Sequence, residues 1–211
     1  IRSDLVSTNA LTASHDIKIN DIAVGASDSS SAASKAIAIN AVSSSTNVTA
    51  SGDNLVTLDL NFSEASTAAS NISINGNTIN FGSVTNETET ITAINNASIG
   101  DIVASANSSG EVQLASASGA DIVIAHNGTP GVFFDGHTDA TGATISVNSS
   151  VTFKGQILLT HTAGDVIKIS GNDVGELGFQ AQASSSVSTP GSIISVSNSS
   201  NATSALSSVD T

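Results

Sequence analysis

The sequence predicts an α+β protein, mainly β, in which two small strand–helix–strand–strand units are followed by a β-rich segment. The first observation is an internal pattern. I-K-I-N-D at residues 17–21 precedes A-I-N-A at 38–41, and I-S-I-N-G at 72–76 precedes A-I-N-N at 93–96. The matching positions lie 55 residues apart, and a fixed internal period indicates a duplicated supersecondary unit. The second observation is a composition dominated by Ser, Thr, Asn, Ala and Gly, which is typical of strands joined by tight turns.

The first unit is predicted to span residues 15–66, after a connector over residues 1–14. Ser31 is a suitable N-cap for a short helix, because its hydroxyl can accept a hydrogen bond from a free amide of the first turn. The last strand of the unit alternates strictly between apolar and polar residues, which indicates one buried face. The predicted elements are a strand at 17–24, a helix at 31–41 and strands at 48–50 and 56–62.

The second unit is predicted to span residues 67–128 and to repeat this order. N-G-N at 75–77 lies between two apolar pairs and is a strong hairpin signal. Asn86 stands three residues before Glu89, a spacing that favours a capped helix start. The predicted elements are the hairpin around 75–77, a helix through Asn96, a hairpin formed by 102–106 and 111–115, and a strand at 122–124.

A β-rich segment is predicted over residues 129–195, and residues 196–211 are predicted to begin a helix. The segment contains apolar pairs at alternate positions, each of which indicates a strand. Two orders of these parts remain open. A serial order is the first choice, and in the alternative residues 15–62 pair with 145–195 around an inserted domain at 67–140. The apolar pairs are Ile145/Val147, Val151/Phe153, Ile157/Leu159, Ile167/Ile169 and Leu177/Phe179.

Composition and charge exclude several functions. The chain of 211 residues has a net charge of −13 with only five basic residues, so nucleic acid and anionic membranes are not expected partners. It has no Cys, Trp or Tyr, which excludes thiolate chemistry and the usual aromatic platform for sugars. No G-x-S-x-G, H-E-x-x-H or phosphate-loop motif occurs. The protein is therefore expected to be no enzyme and to hold no cofactor.

The I-x-I-N-G … A-I-N pattern resembles the "IN" motif of the outer regions of bacterial flagellins and hook-associated flagellar proteins. The second copy is the closer match, since the first has Asp21 where the motif usually has Gly. The final residues, S-A-L-S-S-V-D-T at 204–211, resemble the point where a flagellin chain re-enters its C-terminal helical rod. The two units cover about half of the chain, which is expected to be a piece of a longer protein.

This resemblance implies a surface-exposed structural region of the extracellular flagellar filament that acts in assembly and motility without catalysis. The implied partners are other flagellin subunits, which bind mainly through rod segments outside this chain, so the chain alone is expected to be monomeric. O-linked glycans on exposed Ser or Thr are also expected. The alternatives are a hook-associated flagellar protein and a cell-surface adhesin or carbohydrate-binding repeat.

No catalytic residue is predicted, and the candidate site residues are few. Asp135, His137 and Asp139 stand at alternate positions and could ligate a divalent cation, but the EF-hand order is incomplete and a polar turn is the preferred interpretation. Asp165, Asp173 and Glu176 could similarly ligate calcium, but a solvated hairpin is the preferred interpretation. In that hairpin Lys168 is expected to be an outward charge.

Asn40 and Asn95 occupy the matching "IN" positions of the two units. They could contact a ligand. The preferred interpretation is structural, with both side chains capping backbone groups where the helix ends and the chain turns.

Overall fold

The computed structural model describes residues 1–58, 60, 71–80, 84–127 and 149–180. Within these ranges the protein is α+β and mainly β, as predicted, with three antiparallel sheets and three short α-helices. The helices are α1 (Ala32–Asn40), α2 (Ser43–Thr46) and α3 (Glu87–Asn96). The strands are β1 (Arg2–Leu5), β2 (Lys18–Ile19), β3 (Ile22–Ala23), β4 (Val48–Leu58), β5 (Asn71–Ile74), β6 (Asn77–Asn80), β7 (Ile102–Ala106), β8 (Val112–Ser116), β9 (Ile122–Asn127), β10 (Ser150–Phe153), β11 (Gln156–His161) and β12 (Ile169–Ser170).

The largest sheet has the strand order β1-β11-β4-β8-β7 and is organised around β4. The first half of β4 pairs with β11, from Val48 opposite His161 to Asp53 opposite Gln156. Its second half pairs with β8, from Asn54 opposite Ser116 to Leu58 opposite Val112. The other two sheets have the orders β10-β9-β5-β6 and β12-β2-β3.

β4 is one strand of 11 residues where the sequence predicted two, at 48–50 and 56–62. Its side chains alternate strictly between buried and outward-facing positions, as period-two patterning requires. The polar stretch S-G-D-N in its middle resembles a loop, but two tertiary contacts hold it extended. Gly52 lies so close to the 118–119 backbone that an added Cβ would be 2.5 Å from the Ser118 carbonyl oxygen. The side-chain carboxamide of the buried Asn54 donates to the carbonyls of Ala120 and Phe153, at 2.9 and 2.8 Å.

Two apolar cores lie on either side of this midpoint. Each is built almost wholly from aliphatic side chains, because the chain has few aromatic residues. The first core includes Val6, Ile19, Ile39, Val48, Ile157, Leu159 and Leu177. The second core includes Val56, Leu58, Ile74, Ile94, Leu114, Ile124 and Phe153.

Both predicted helix starts are confirmed. The Ser31 side chain accepts a hydrogen bond from the Ser34 amide at 3.2 Å, and the Asn86 side chain accepts one from the Glu89 amide at 3.0 Å. The Glu89 carboxylate reaches back to the Thr85 amide rather than to Asn86. That contact and a further hydrogen bond from the Thr85 hydroxyl lower the pKa of Glu89.

Several local predictions were wrong. Residues 17–24, predicted as one strand, form the hairpin of β2 and β3. Leu177 lies in a 3-10 helix (Val174–Leu177) rather than in a strand, and Gly178 ends this helix with φ 76°. Residues 1–14, the predicted connector, also contain a strand that was not predicted, since β1 pairs with β11 and the nearby Val6 is buried in the first core.

The hairpin of β7 and β8 and the strand β9 are confirmed. The structure also confirms strands at Val151/Phe153 and Ile157/Leu159, and Ile169 begins the short strand β12. The predictions for Ile145/Val147 and for the helix at 196–211 lie outside the described residues.

Candidate functional site

Asn40 and Asn95, at the ends of α1 and α3, make the same pair of hydrogen bonds to a strand. The Asn40 carboxamide donates to the Ala50 carbonyl at 2.8 Å and accepts from the Ala50 amide at 2.7 Å. The Asn95 carboxamide does the same with Ala104, at 2.9 and 2.8 Å. Both side chains therefore bind backbone, as the structural interpretation predicted. The backbone they bind belongs to the strand after the helix, not to the helix end.

A second matched pair of asparagines, Asn20 and Asn75, forms the turns of the two "IN" hairpins. Both have left-handed backbone conformations, with φ of 48° and 47°. The residue that follows each is also left-handed: Asp21 has φ 65° and Gly76 has φ 81°. Two consecutive residues with positive φ are what the favoured two-residue hairpin turn requires. Asp21 therefore adopts a left-handed conformation like that of Gly76 in the second hairpin.

Each of these turn asparagines also ties its hairpin to a later segment, at or directly before the start of a strand. The Asn20 side chain accepts from the Lys168 amide at 2.9 Å and donates to the Thr46 carbonyl at 2.8 Å. The Asn75 side chain accepts from the Val123 amide at 2.7 Å and donates to the Asp121 carbonyl at 3.0 Å. Thus all four asparagines of the two repeats (Asn20, Asn40, Asn75 and Asn95) use the side-chain oxygen to accept from a backbone amide and the side-chain nitrogen to donate to a backbone carbonyl of another segment.

Lys35 is the most unusual polar residue in the described part of the chain, because its side chain is fully buried. Its ammonium donates to the Glu176 carbonyl at 2.6 Å and to the carbonyl and hydroxyl oxygens of Ser7, both at 3.1 Å. Burial lowers the pKa of Lys35 from 10.5 to about 8, since desolvation outweighs the attraction of the nearby Glu176 carboxylate. The lysine thereby joins α1, the segment after β1 and the 3-10 helix.

A polar junction lies where the chain passes between the two cores. The Lys154 ammonium donates to the Asp121 carboxylate and to the Ser30 hydroxyl, both at 2.7 Å. Gly119, with φ 79°, packs against β4 so closely that an added Cβ would be 2.7 Å from the Gly52 Cα. The Ala33 amide of α1 donates to the Gly119 carbonyl at 3.1 Å. These contacts hold the 118–121 loop against the first core.

The structure places the predicted candidate residues as follows. Asp135, His137 and Asp139 lie outside the described residues. The carboxylates of Asp173 and Glu176 accept hydrogen bonds from other segments of the fold. The Asp173 carboxylate accepts from the Asp16 amide at 2.7 Å, and the Glu176 carboxylate accepts from the Ser7 hydroxyl. Among the residues that the structure describes, no three His, Asp or Glu side chains form a group that could hold a metal ion. Lys168 is an exposed charge, as predicted, and pairs with Asp21 at 2.7 Å.

Sequence reasoning missed the buried Lys35 and the polar junction. The available signal for Lys35 was a single charge within a run of small and apolar residues, S-A-A-S-K-A-I-A-I-N-A. The signal for the junction was weaker, since Gly52 and Gly119 resemble ordinary turn residues in a chain rich in glycine.

A comparison with protein-family models finds no family that matches this chain, and a comparison with curated proteins finds no significantly similar relative. In the described ranges, none of the helices has the length and hydropathy needed to cross a bilayer.

Proposed function

We propose that this chain is the surface-exposed outer region of a bacterial flagellin, a structural part of the extracellular filament that catalyses no reaction. The proposal rests on the "IN" motifs and on the idea that both copies fold on one plan. In this plan a hairpin is followed by a helix, then by a strand held by the helix-end asparagine. Two more strands follow, the first antiparallel to that strand and the second antiparallel to the hairpin.

The observation that carries the proposal is the agreement of three sets of contacts between the two halves. The helix-end asparagines bind Ala50 and Ala104, and these two residues lie opposite Leu159 of β11 and Leu114 of β8. The turn asparagines bind the amides of Lys168 and Val123. The hairpins pair with a later strand at Ile19 opposite Ile169 and at Ile74 opposite Ile124.

These matches support the nested order, the alternative to the serial one, for the proposed units. The first consists of β2, β3, α1, the first half of β4, β11 and β12. The second consists of β5, β6, α3, β7, β8 and β9. The second would then be inserted in the first at the midpoint of β4, and the polar junction, together with the Asn54 hydrogen bonds, would fix the two units together. A fixed junction suits a domain that projects from a rotating filament into flowing solvent.

The test is antibody labelling of intact cells by electron microscopy, with antibodies raised against this chain. We expect label along the whole filament, because an outer flagellin region is present on every subunit. Label confined to the hook–filament junction or the filament tip would support the hook-associated protein instead. Label on the cell envelope with bare filaments would overturn the flagellar assignment and favour the adhesin, which binding to a glycan array would then support.

A further inference from the structure

We propose that Asn40 and Asn95 block two open strand edges and so prevent a second copy of this chain from adding a strand there. The first edge belongs to β7, which ends the five-stranded sheet; no strand of the described ranges lies beside it opposite β8. The second belongs to the first half of β4, where β11 pairs on one side and β8 begins only at Asn54. The peptide groups on such edges are templates for an added strand.

The two carboxamides stand where the added strand would be. In an antiparallel pair every second residue points its amide and carbonyl away from its partner strand. At the two edges these residues include Ala50 and Ala104, and in both the amide and the carbonyl bond an asparagine side chain. A carboxamide carries one acceptor and two donors, so it reproduces the paired hydrogen bonds of a neighbouring peptide group.

Neighbouring edge groups are occupied as well. The Ile102 amide donates to the Ile99 carbonyl at 2.9 Å, and the Val48 amide donates to the Thr46 hydroxyl at 3.2 Å. Further along β4, the 118–119 backbone packs closely on Gly52. At both edges the asparagine therefore extends the bonded groups from the first outward-facing residue of the strand to the second.

The β7 edge needs this protection because its sequence offers no other. I-V-A-S-A at 102–106 contains neither a charge nor a proline, the residues that usually discourage pairing between edges. Val103 is 58% exposed, and it lies in one cross-strand row with Ala115 and with Leu55, which is 59% exposed. A strand added beside β7 would extend this apolar row. A second copy of this chain carries the same β7 strand, so it can supply the added strand whenever two copies meet.

The experiment compares the whole chain with Asn95→Ala by amide hydrogen exchange and by sedimentation over a range of concentrations. Asn96→Ala is the matched control, since Asn96 is an exposed neighbour on the same helix. In the unsubstituted chain we expect the Ala104 amide to exchange as slowly as that of Val103, which faces β8. In Asn95→Ala it should exchange at least about tenfold faster relative to Val103, since it loses its only acceptor in the described structure. The variant should also self-associate with rising concentration, while the control stays monomeric.

Fast exchange at Ala104 in the unsubstituted chain would overturn the proposal without any variant. A second result would also overturn it: Asn95→Ala shows fast exchange at the Ala104 amide but stays as monomeric as the control at every concentration. Asn95→Ser, too short to make both bonds, gives the same two readouts if the alanine variant fails to fold. The Ala50 amide in Asn40→Ala tests the second edge in the same way. None of these readouts depends on the flagellar assignment.

Discussion

The buried Lys35 predicts an unusual rise in stability at alkaline pH. Its pKa is about 8 in the folded protein and 10.5 when solvated, so between these values the unfolded chain binds more protons than the folded one. Under this condition the free energy of unfolding increases with pH. Each pKa unit corresponds to about 1.4 kcal/mol, which gives a gain of about 3 kcal/mol across the window, before any relaxation around the lysine reduces it. The gain is complete above pH 10.5 and is lost as the pH falls through about 8.

The measurement is urea denaturation of the protein and of Lys35→Met between pH 7 and pH 11, with the stability difference followed against pH. The chain suits this assay, because it has no Tyr or Cys to titrate in the same window. Lys168→Met is the matched control, since Lys168 is 59% exposed. We expect the stability difference between the protein and Lys35→Met to rise in favour of the protein from pH 8, and to rise by more than the stability difference between the protein and Lys168→Met.

The reasoning would be refuted if the stability difference between the protein and Lys35→Met did not change with pH across this window. It would mean that the three oxygens around the ammonium compensate its desolvation in full. A difference that falls with rising pH would mean that they overcompensate it, with a folded pKa above 10.5.

Three further predictions concern stability. Gly119→Ala should cost about 2 kcal/mol or more, because its backbone is left-handed and its Cβ would meet β4, whereas Gly25→Ala, with open space around it, should change the urea midpoint little. Asn54→Ala should cost about 1–3 kcal/mol, since two carbonyls lose their donor; a loss below about 0.5 kcal/mol would contradict that role. Partial burial opposes ionisation of Asp101, but hydrogen bonds from Ser118 and Ser116 outweigh it and hold its pKa below 3.8. Its contribution is present above pH 3.8 and lost as the pH falls through the folded pKa, so acid denaturation of Asp101→Asn should lack that part of the pH dependence.

Local sequence signals determined much of the secondary structure. The Ser31 and Asn86 caps, the N-G turn and the strict alternation in Val56–Leu58 each depend on nearby residues alone, and each agrees with the structure. Their physical causes act within a few residues, such as a side-chain acceptor near a free amide or a residue that tolerates positive φ.

Tertiary structure alone decided the rest. Whether S-G-D-N at 51–54 forms a loop or a strand depends on the backbone at Ser118–Gly119 and on the carbonyls of Ala120 and Phe153, all distant in sequence. The strand that pairs with the first half of β4 lies more than 100 residues later in the chain, and no periodicity within either strand specifies its partner. The burial of Lys35 likewise depends on oxygens from Ser7 and Glu176, which converge on its ammonium only once the fold has formed. The sequence thus determined what depends on neighbours along the chain, and packing between distant segments decided which strands pair and which polar groups are buried.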